Sequence, residues 1–136
     1  MKNNLLCFLI EDDIDDQENF VAALSQVDKN HSCVIASNGV EAINKLNDNV
    51  DFIPDYIFLD LNMPRMNGME FLKEMKKIPR LNSLPVIIFS TSSDPHEISE
   101  TKRNGASHFL IKPNSTTVLS ESLSEYFSSG NSYLFF

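Results

Sequence analysis

The sequence predicts an α/β fold: a doubly wound five-stranded parallel sheet with helices on both faces. Three observations carry that prediction. Short apolar runs alternate with longer amphipathic ones, which is the pattern of repeated βα units. The first apolar run is followed at once by Glu11, Asp12, Asp13, Asp15 and Asp16, and a later one by Asp60, so acids gather where parallel strands would end on a shared edge. A chain of 136 residues with 42% hydrophobic content suits one domain with a sizeable core.

The first strand spans residues 5–10, and the helix after it covers about residues 15–27. Phe20, Leu24 and Val27 recur there at helical spacing, with Val21 beside them. A short second strand covers 32–36. Asn38-Gly39 makes the turn, and the second helix carries Val40, Ile43 and Leu46 inward. The third strand, 56–59, is apolar throughout, as a strand covered on both faces should be. The loop Met63-Pro64-Arg65-Met66-Asn67-Gly68 leads into a third helix with Phe71, Leu72, Met75 and Ile78 at helical spacing, ended by Pro79. Pro85 introduces a fourth strand over 86–89. The polar run that follows offers a helix N-cap at Ser93 or Asp94. The fourth helix, about 95–104, has Ile98 as its strongly apolar residue, and Gly105 stops it. The fifth strand is 108–111, ended by Lys112-Pro113, and the fifth helix, about 115–127, packs through Leu119, Leu123, Tyr126 and Phe127. Right-handed crossovers leave few topologies, and the flavodoxin-like order 2-1-3-4-5 sets the first strand beside the third, as the acids require. Residues 1–127 make the domain, and residues 128–136 a tail ending Tyr133-Leu134-Phe135-Phe136.

A formal net charge of -8 argues against nucleic acid as a direct partner, because phosphates need a basic face. Cys7 and Cys33 sit in apolar or β-branched stretches and read as small buried hydrophobes rather than a disulfide or metal pair. There is no secretory signal pattern and no apolar span of membrane-crossing length. The expectation is a cytoplasmic protein without a membrane partner.

The C-terminal ends of strands one, three, four and five carry, in order, Glu11-Asp12, Asp60, Ser90-Thr91 and Lys112. Clustered carboxylates repel one another unless a cation lies among them. A divalent ion such as Mg²⁺ accepts one or two carboxylates, a carbonyl and waters, and leaves room for phosphate oxygens. An aspartate can act as nucleophile toward phosphorus. A lysine supplies a point charge to one phosphoryl oxygen, and a hydroxyl donates to another. These parts suit phosphoryl transfer.

Four segments in this order resemble the receiver domains of two-component response regulators. They are Leu9-Ile10-Glu11-Asp12-Asp13, the stretch Asp60-Leu61-Asn62-Met63-Pro64-Arg65-Met66-Asn67-Gly68, Ser90-Thr91-Ser92-Ser93, and Gly105-Ala106 through Ile111-Lys112-Pro113. The chain is most similar to stand-alone receivers of the kind paired with bacterial phytochrome kinases. The resemblance implies that Asp60 is the phosphoacceptor, and that Asp12 touches Mg²⁺ directly while Glu11 reaches it through water. Asp60 itself and the main-chain carbonyl of Asn62 complete the protein ligands. It implies that Lys112 binds the phosphoryl group, that Ser90 is the switch hydroxyl beside Thr91, and that Phe109 is the switch aromatic. A cis Lys112–Pro113 bond is expected on the same ground. So are a histidine kinase or phosphotransfer protein as phosphohistidine donor, and a response at the surface of the fourth helix, fifth strand and fifth helix. No separate output domain is expected, and the catalysis would be limited to the protein's own phosphorylation and dephosphorylation. The apolar tail adds the expectation of a homodimer.

Other residues have plainer readings. Asp13, Asp15 and Asp16 are expected to favour the positive end of the first helix dipole rather than to bind a ligand. Ser92 and Ser93 are expected to cap or turn. His31, His96 and His108 lack ligand spacing and read as surface or strand residues. Met63, Met66, Met69 and Met75 suit packing. A phosphatase of the haloacid-dehalogenase type also uses an aspartate at a strand end, but it carries a second acid two residues on, where this chain has Asn62.

Overall fold

A computed structural model describes residues 4–129. Its strands are β1 (Leu6–Ile10), β2 (Ser32–Ala36), β3 (Tyr56–Leu59), β4 (Val86–Ser90) and β5 (His108–Ile111). They alternate with α1 (Ile14–Val27), α2 (Gly39–Asp48), α3 (Gly68–Lys76), α4 (Pro95–Arg103) and α5 (Thr116–Ser129). The sheet is parallel, in the order β2-β1-β3-β4-β5. Ile10 is in register with Leu59 across β1 and β3, and Ser90 with Ile111 across β4 and β5, so the residues after those strands emerge on one edge.

Alternation along each strand sends side chains to opposite faces, and both faces are dry. Cys7, Leu9, Phe58, Ile87 and Phe89 face a core closed by Phe20 and Leu24 of α1 and by Leu119, Leu123, Tyr126 and Phe127 of α5. Phe8, Ile10, Ile57, Leu59, Val86 and Ile88 face a second core closed by Ala42 and Leu46 of α2 and Phe71, Leu72 and Met75 of α3. Phe109 is buried in this second core, against which Ile98 of α4 packs. Both cysteines are free; Cys7 is buried and Cys33 half-buried. Among the described residues no helix is long and apolar enough to cross a membrane.

Capping sets where the helices begin. Asp13 accepts from the Asp16 amide, Asn38 from Glu41, and Asp94 from His96, with Pro95 opening α4. Asn67 and Glu70 form a reciprocal capping box at the start of α3. Asp94, not Ser93, is therefore the α4 cap, while Ser92 Oγ accepts from the Asp94 amide. Asn38 does more than turn the chain, since its side chain opens α2. Within that helix Gly39, Ala42 and Leu46 are the buried residues, whereas Val40 and Ile43 are half-buried. The expected inward stripe was rotated toward the bulkier side chains; small Gly39 instead lies against the Met66 loop, where a Cβ would come within 2.6 Å of the Met66 carbonyl oxygen.

α3 ends at Lys76, short of Pro79, since Lys77 and Ile78 turn back onto Glu74 and Met75 carbonyls in a tighter i−3 pattern. α5 extends to Ser129, beyond the expected 127. The rest of the apolar tail lies outside the described residues. The expected cis Lys112–Pro113 bond is not found: the described residues hold no cis peptide. The trans form is the ordinary state of an X–Pro bond, favoured by about 0.5–1 kcal/mol.

Candidate functional site

Three residues, each standing one past a strand end, anchor the site. Glu11 follows β1, and its amide donates to the Ala36 carbonyl of β2 (2.9 Å). Asp60 follows β3, and its amide donates to Ile10 (3.0 Å). Lys112 follows β5, and its amide donates to Ser90 (2.8 Å). The sheet's own hydrogen bonding therefore runs one residue past each strand and fixes these backbones. Glu11 is held further by Gln17, whose Nε2 donates to the Glu11 carbonyl (2.7 Å), and by the Asp13 amide, which donates to Glu11 Oε2 (3.2 Å).

The loop after Asp60 is pinned by close packing. Gly68 donates its amide to the Leu61 carbonyl (3.1 Å), and a Cβ at Gly68 would lie 2.3 Å from the Asp60 carbonyl oxygen. Only glycine allows α3 to start that near the Asp60 backbone. Arg65, at the loop's outer bend, takes φ 64°, a left-handed conformation uncommon outside glycine.

Side-chain oxygens of Glu11, Asp12 and Asp60 lie within 4.8 Å of one another. Glu11 and Asp60 are buried, while Asp12 faces solvent. Lys112 Nζ lies 2.6 Å from Glu11 Oε1, 2.9 Å from Asp16 Oδ2 and 3.6 Å from Asp60 Oδ1. The ammonium also stands 5.5 Å from the Phe89 ring centroid.

These contacts set the protonation of the site. Burial is the main reason Glu11 is pushed up to about 7; the Asp60 charge adds to it, and the hydrogen bond from Lys112 opposes it. Asp60 is raised as well, chiefly by burial, against the pull of Lys112, Glu11 and the Asn62 amide. Burial alone would lower Lys112, yet its hydrogen bonds to Glu11 and Asp16 and the charge of Asp60 carry it above its ordinary value. Burial disfavours the charged form of both acids, their mutual repulsion adds to it, and a cation among the oxygens would relieve both costs. The donors are hard oxygens, one of them open to solvent, and they fit a Mg²⁺-class ion that keeps waters.

The sequence-predicted residues divide as follows. Glu11, Asp12, Asp60 and Lys112 are brought together. Asn62 is exposed two residues past Asp60, and its amide approaches the Asp60 carboxylate. Ser90 is fully buried at the end of β4, with Oγ accepting from the Ser92 amide (3.2 Å), and Thr91 is exposed beside it. Phe109 is buried.

Asp16 was expected only to serve the helix dipole, but it contacts Lys112. The signal was present in the sequence: Asp16, Phe20 and Leu24 recur every four residues, so Asp16 shares the inward stripe that Asp15 does not. Met63 and Met75 are core residues, as read, but His31 is neither at the surface nor in a strand: it is buried just before β2 and accepts from the Leu5 amide through Nδ1 (3.0 Å).

Comparison with known proteins agrees with this geometry. A model of the response regulator receiver domain matches residues 7–124. Chemotaxis protein CheY1 of Helicobacter pylori (strain ATCC 700392 / 26695) is 33% identical over 88 residues, 65% of this chain and 69% of the relative. A CheY homologue of Campylobacter jejuni (strain 81-176) is 30% identical over 96 residues, 71% and 72% of the two chains. Among solved structures, the phosphorylated cyanobacterial phytochrome response regulator RcpA superposes with a TM-score of 0.82 at 28% identity, covering 96% of this chain and 98% of that one. The Mn²⁺-bound response regulator Rcp1 shares the fold, with a TM-score of 0.77 at 24% identity and coverage of 96% and 97%. The chain belongs to the response regulator receiver domain family, the CheY-like receivers of two-component signalling.

Proposed function

We propose that Asp60 accepts a phosphoryl group from the phosphohistidine of a sensor histidine kinase or phosphotransfer protein, and that the modification switches an interaction surface. The observation that carries this reading is one buried aspartate flanked by two acids of a hard-oxygen cluster, with an ammonium 3.6 Å away.

Glu11, Asp12, Asp60 and the Asn62 carbonyl would hold Mg²⁺, with Glu11 acting through water. When bound, the ion offsets charge on the transferring phosphoryl oxygens. An Asp60 carboxylate oxygen forms the new bond to phosphorus as the nitrogen–phosphorus bond of the donor breaks, and the imidazole nitrogen leaves with the bonding pair. Lys112 presents its charge to a phosphoryl oxygen, and Ser90 and Thr91 stand at the adjoining strand end to donate to another.

The aspartyl phosphate carries about two negative charges where the carboxylate carried one, at a buried position. Ser90 turns toward it, and Phe109, buried on β5, moves into the space vacated. The face of α4, β5 and α5 changes with that step. The chain acts as a signalling module, and its only chemistry is gaining and losing its own phosphate. The same reading assigns residues 1–127 to the receiver unit and 128–136 to an appended tail, places the protein in the cytoplasm, and pairs it with a second copy. It assigns no nucleic-acid or membrane contact.

The test is phosphate incorporation from acetyl phosphate with Mg²⁺ and with chelator. Incorporation that requires Mg²⁺ supports the reading; equal incorporation in chelator refutes the metal's part in it.

A further inference from the structure

The Lys112 ammonium has more carboxylate partners than phosphate chemistry needs. Glu11 and Asp60 belong to the oxygen cluster that suits a cation, but Asp16 does not. Asp16 Oδ2 accepts from Lys112 Nζ at 2.9 Å, closer than the 3.6 Å separating Nζ from Asp60 Oδ1. The Lys112 side chain is 10% exposed, so this contact is sheltered, while Asp16 itself is 40% exposed.

We propose that Asp16 is a positioning residue that anchors Lys112 from outside the cation cluster and so sets the rate of phosphoryl transfer to Asp60. The inference rests on the phosphoacceptor reading given above. A lysine side chain has a long flexible stem, and holding its head at one point costs rotamer freedom. Of its two short contacts, Glu11 is the one a cation would engage. Asp16 is then the partner left to fix the ammonium beside the phosphoryl oxygens. Its own placement is built in. Asp13 caps α1 by accepting from the Asp16 amide (3.0 Å), and the inward stripe that Asp16 shares with Phe20 and Leu24 points its side chain toward β5's end. A charge-assisted hydrogen bond to a positioned ammonium is among the stronger side-chain contacts, and small misplacements of a charge in a transfer site are costly in rate.

The test compares the full chain with Asp16→Asn, Asp16→Glu, Lys112→Met and the Lys112→Met/Asp16→Asn pair. Three readouts are taken: initial phosphate incorporation from acetyl phosphate at saturating Mg²⁺, Mg²⁺ affinity together with melting temperature, and the ¹⁵N signal of the Lys112 ammonium in metal-free protein. Asp16→Asn is expected to slow incorporation about tenfold and to lose the ammonium signal through faster exchange. Mg²⁺ affinity and melting temperature should stay close to the parent's. Asp16→Glu recovers part of the rate, and Asp16→Asn causes no further slowing once Lys112 is Met. Parent-like incorporation by Asp16→Asn overturns the inference alone, as does equal slowing in the Lys112→Met background. A parent that takes no phosphate overturns the phosphoacceptor reading and this rate role with it.

Discussion

Replacing Glu11 by Gln should stabilise the metal-free protein above neutral pH. Glu11 is 1% exposed, and burial pushes its carboxyl from the ordinary 4.5 to about 7. The folded state therefore holds this proton more tightly than the unfolded chain does. The stability it contributes is fully present below about pH 4.5 and is lost as pH rises through about 7. The gap between those values corresponds to roughly 3 kcal/mol, at about 1.4 kcal/mol per tenfold in proton affinity. Glutamine mimics the neutral acid at every pH, so that penalty is absent from the variant. Urea unfolding in chelator at pH 5, 6, 7 and 8 reads the effect. The parent should lose stability across the series relative to Glu11→Gln, and at pH 8 the variant should be the more stable by on the order of 3 kcal/mol. At pH 5 the difference should shrink to about 1 kcal/mol or less. Mg²⁺ should narrow the pH 8 difference by stabilising the parent alone. A variant less stable than the parent at pH 8, or a difference that does not change with pH, would show that the buried Glu11 carboxylate does not destabilise the metal-free fold.

Two further outcomes follow from packing and from the tail. Gly68→Ala would set a Cβ 2.3 Å from the Asp60 carbonyl oxygen and 2.8 Å from Leu61 Cα. Backbone must shift to admit it, so thermal unfolding should show a loss of about 1–3 kcal/mol; a parent-like melting temperature would mean α3 has slack at its start. Ending the chain at Ser129 should weaken self-association measured by sedimentation, because Tyr133, Leu134, Phe135 and Phe136 are removed. If the full chain is a monomer at high concentration, with and without phosphorylation, the homodimer is wrong.

The sheet order was legible because acids at the ends of strands one and three make sense only if those strands are neighbours. The strand bounds were legible too, since Tyr56-Ile57-Phe58-Leu59 and His108-Phe109-Leu110-Ile111 are short and hemmed by polar residues. Helix ends were less so. They depend on caps and last-turn hydrogen bonds, as at Lys77 and Ile78, where the backbone tightens before the proline that seemed to end the helix. Phase errors came from weighing bulk alone: in α2 the small residues Gly39 and Ala42 sit innermost. Glu11, Asp12, Asp60 and Lys112 could be placed together by topology. Asp16 was hidden among like-charged neighbours and is separated from Asp15 only by helical phase. The isomer of the Lys112–Pro113 bond turns on a small energy difference that sequence does not display.

The central claim is that Asp60 carries the phosphate. The most direct measurement is peptide mass spectrometry after treatment with acetyl phosphate and Mg²⁺, with acyl phosphates trapped by borohydride reduction to homoserine. The parent should show aspartate-to-homoserine conversion at residue 60, and Asp60→Asn should show no conversion at any residue. Conversion at a different acid in the parent, or undiminished labelling of Asp60→Asn, would contradict it.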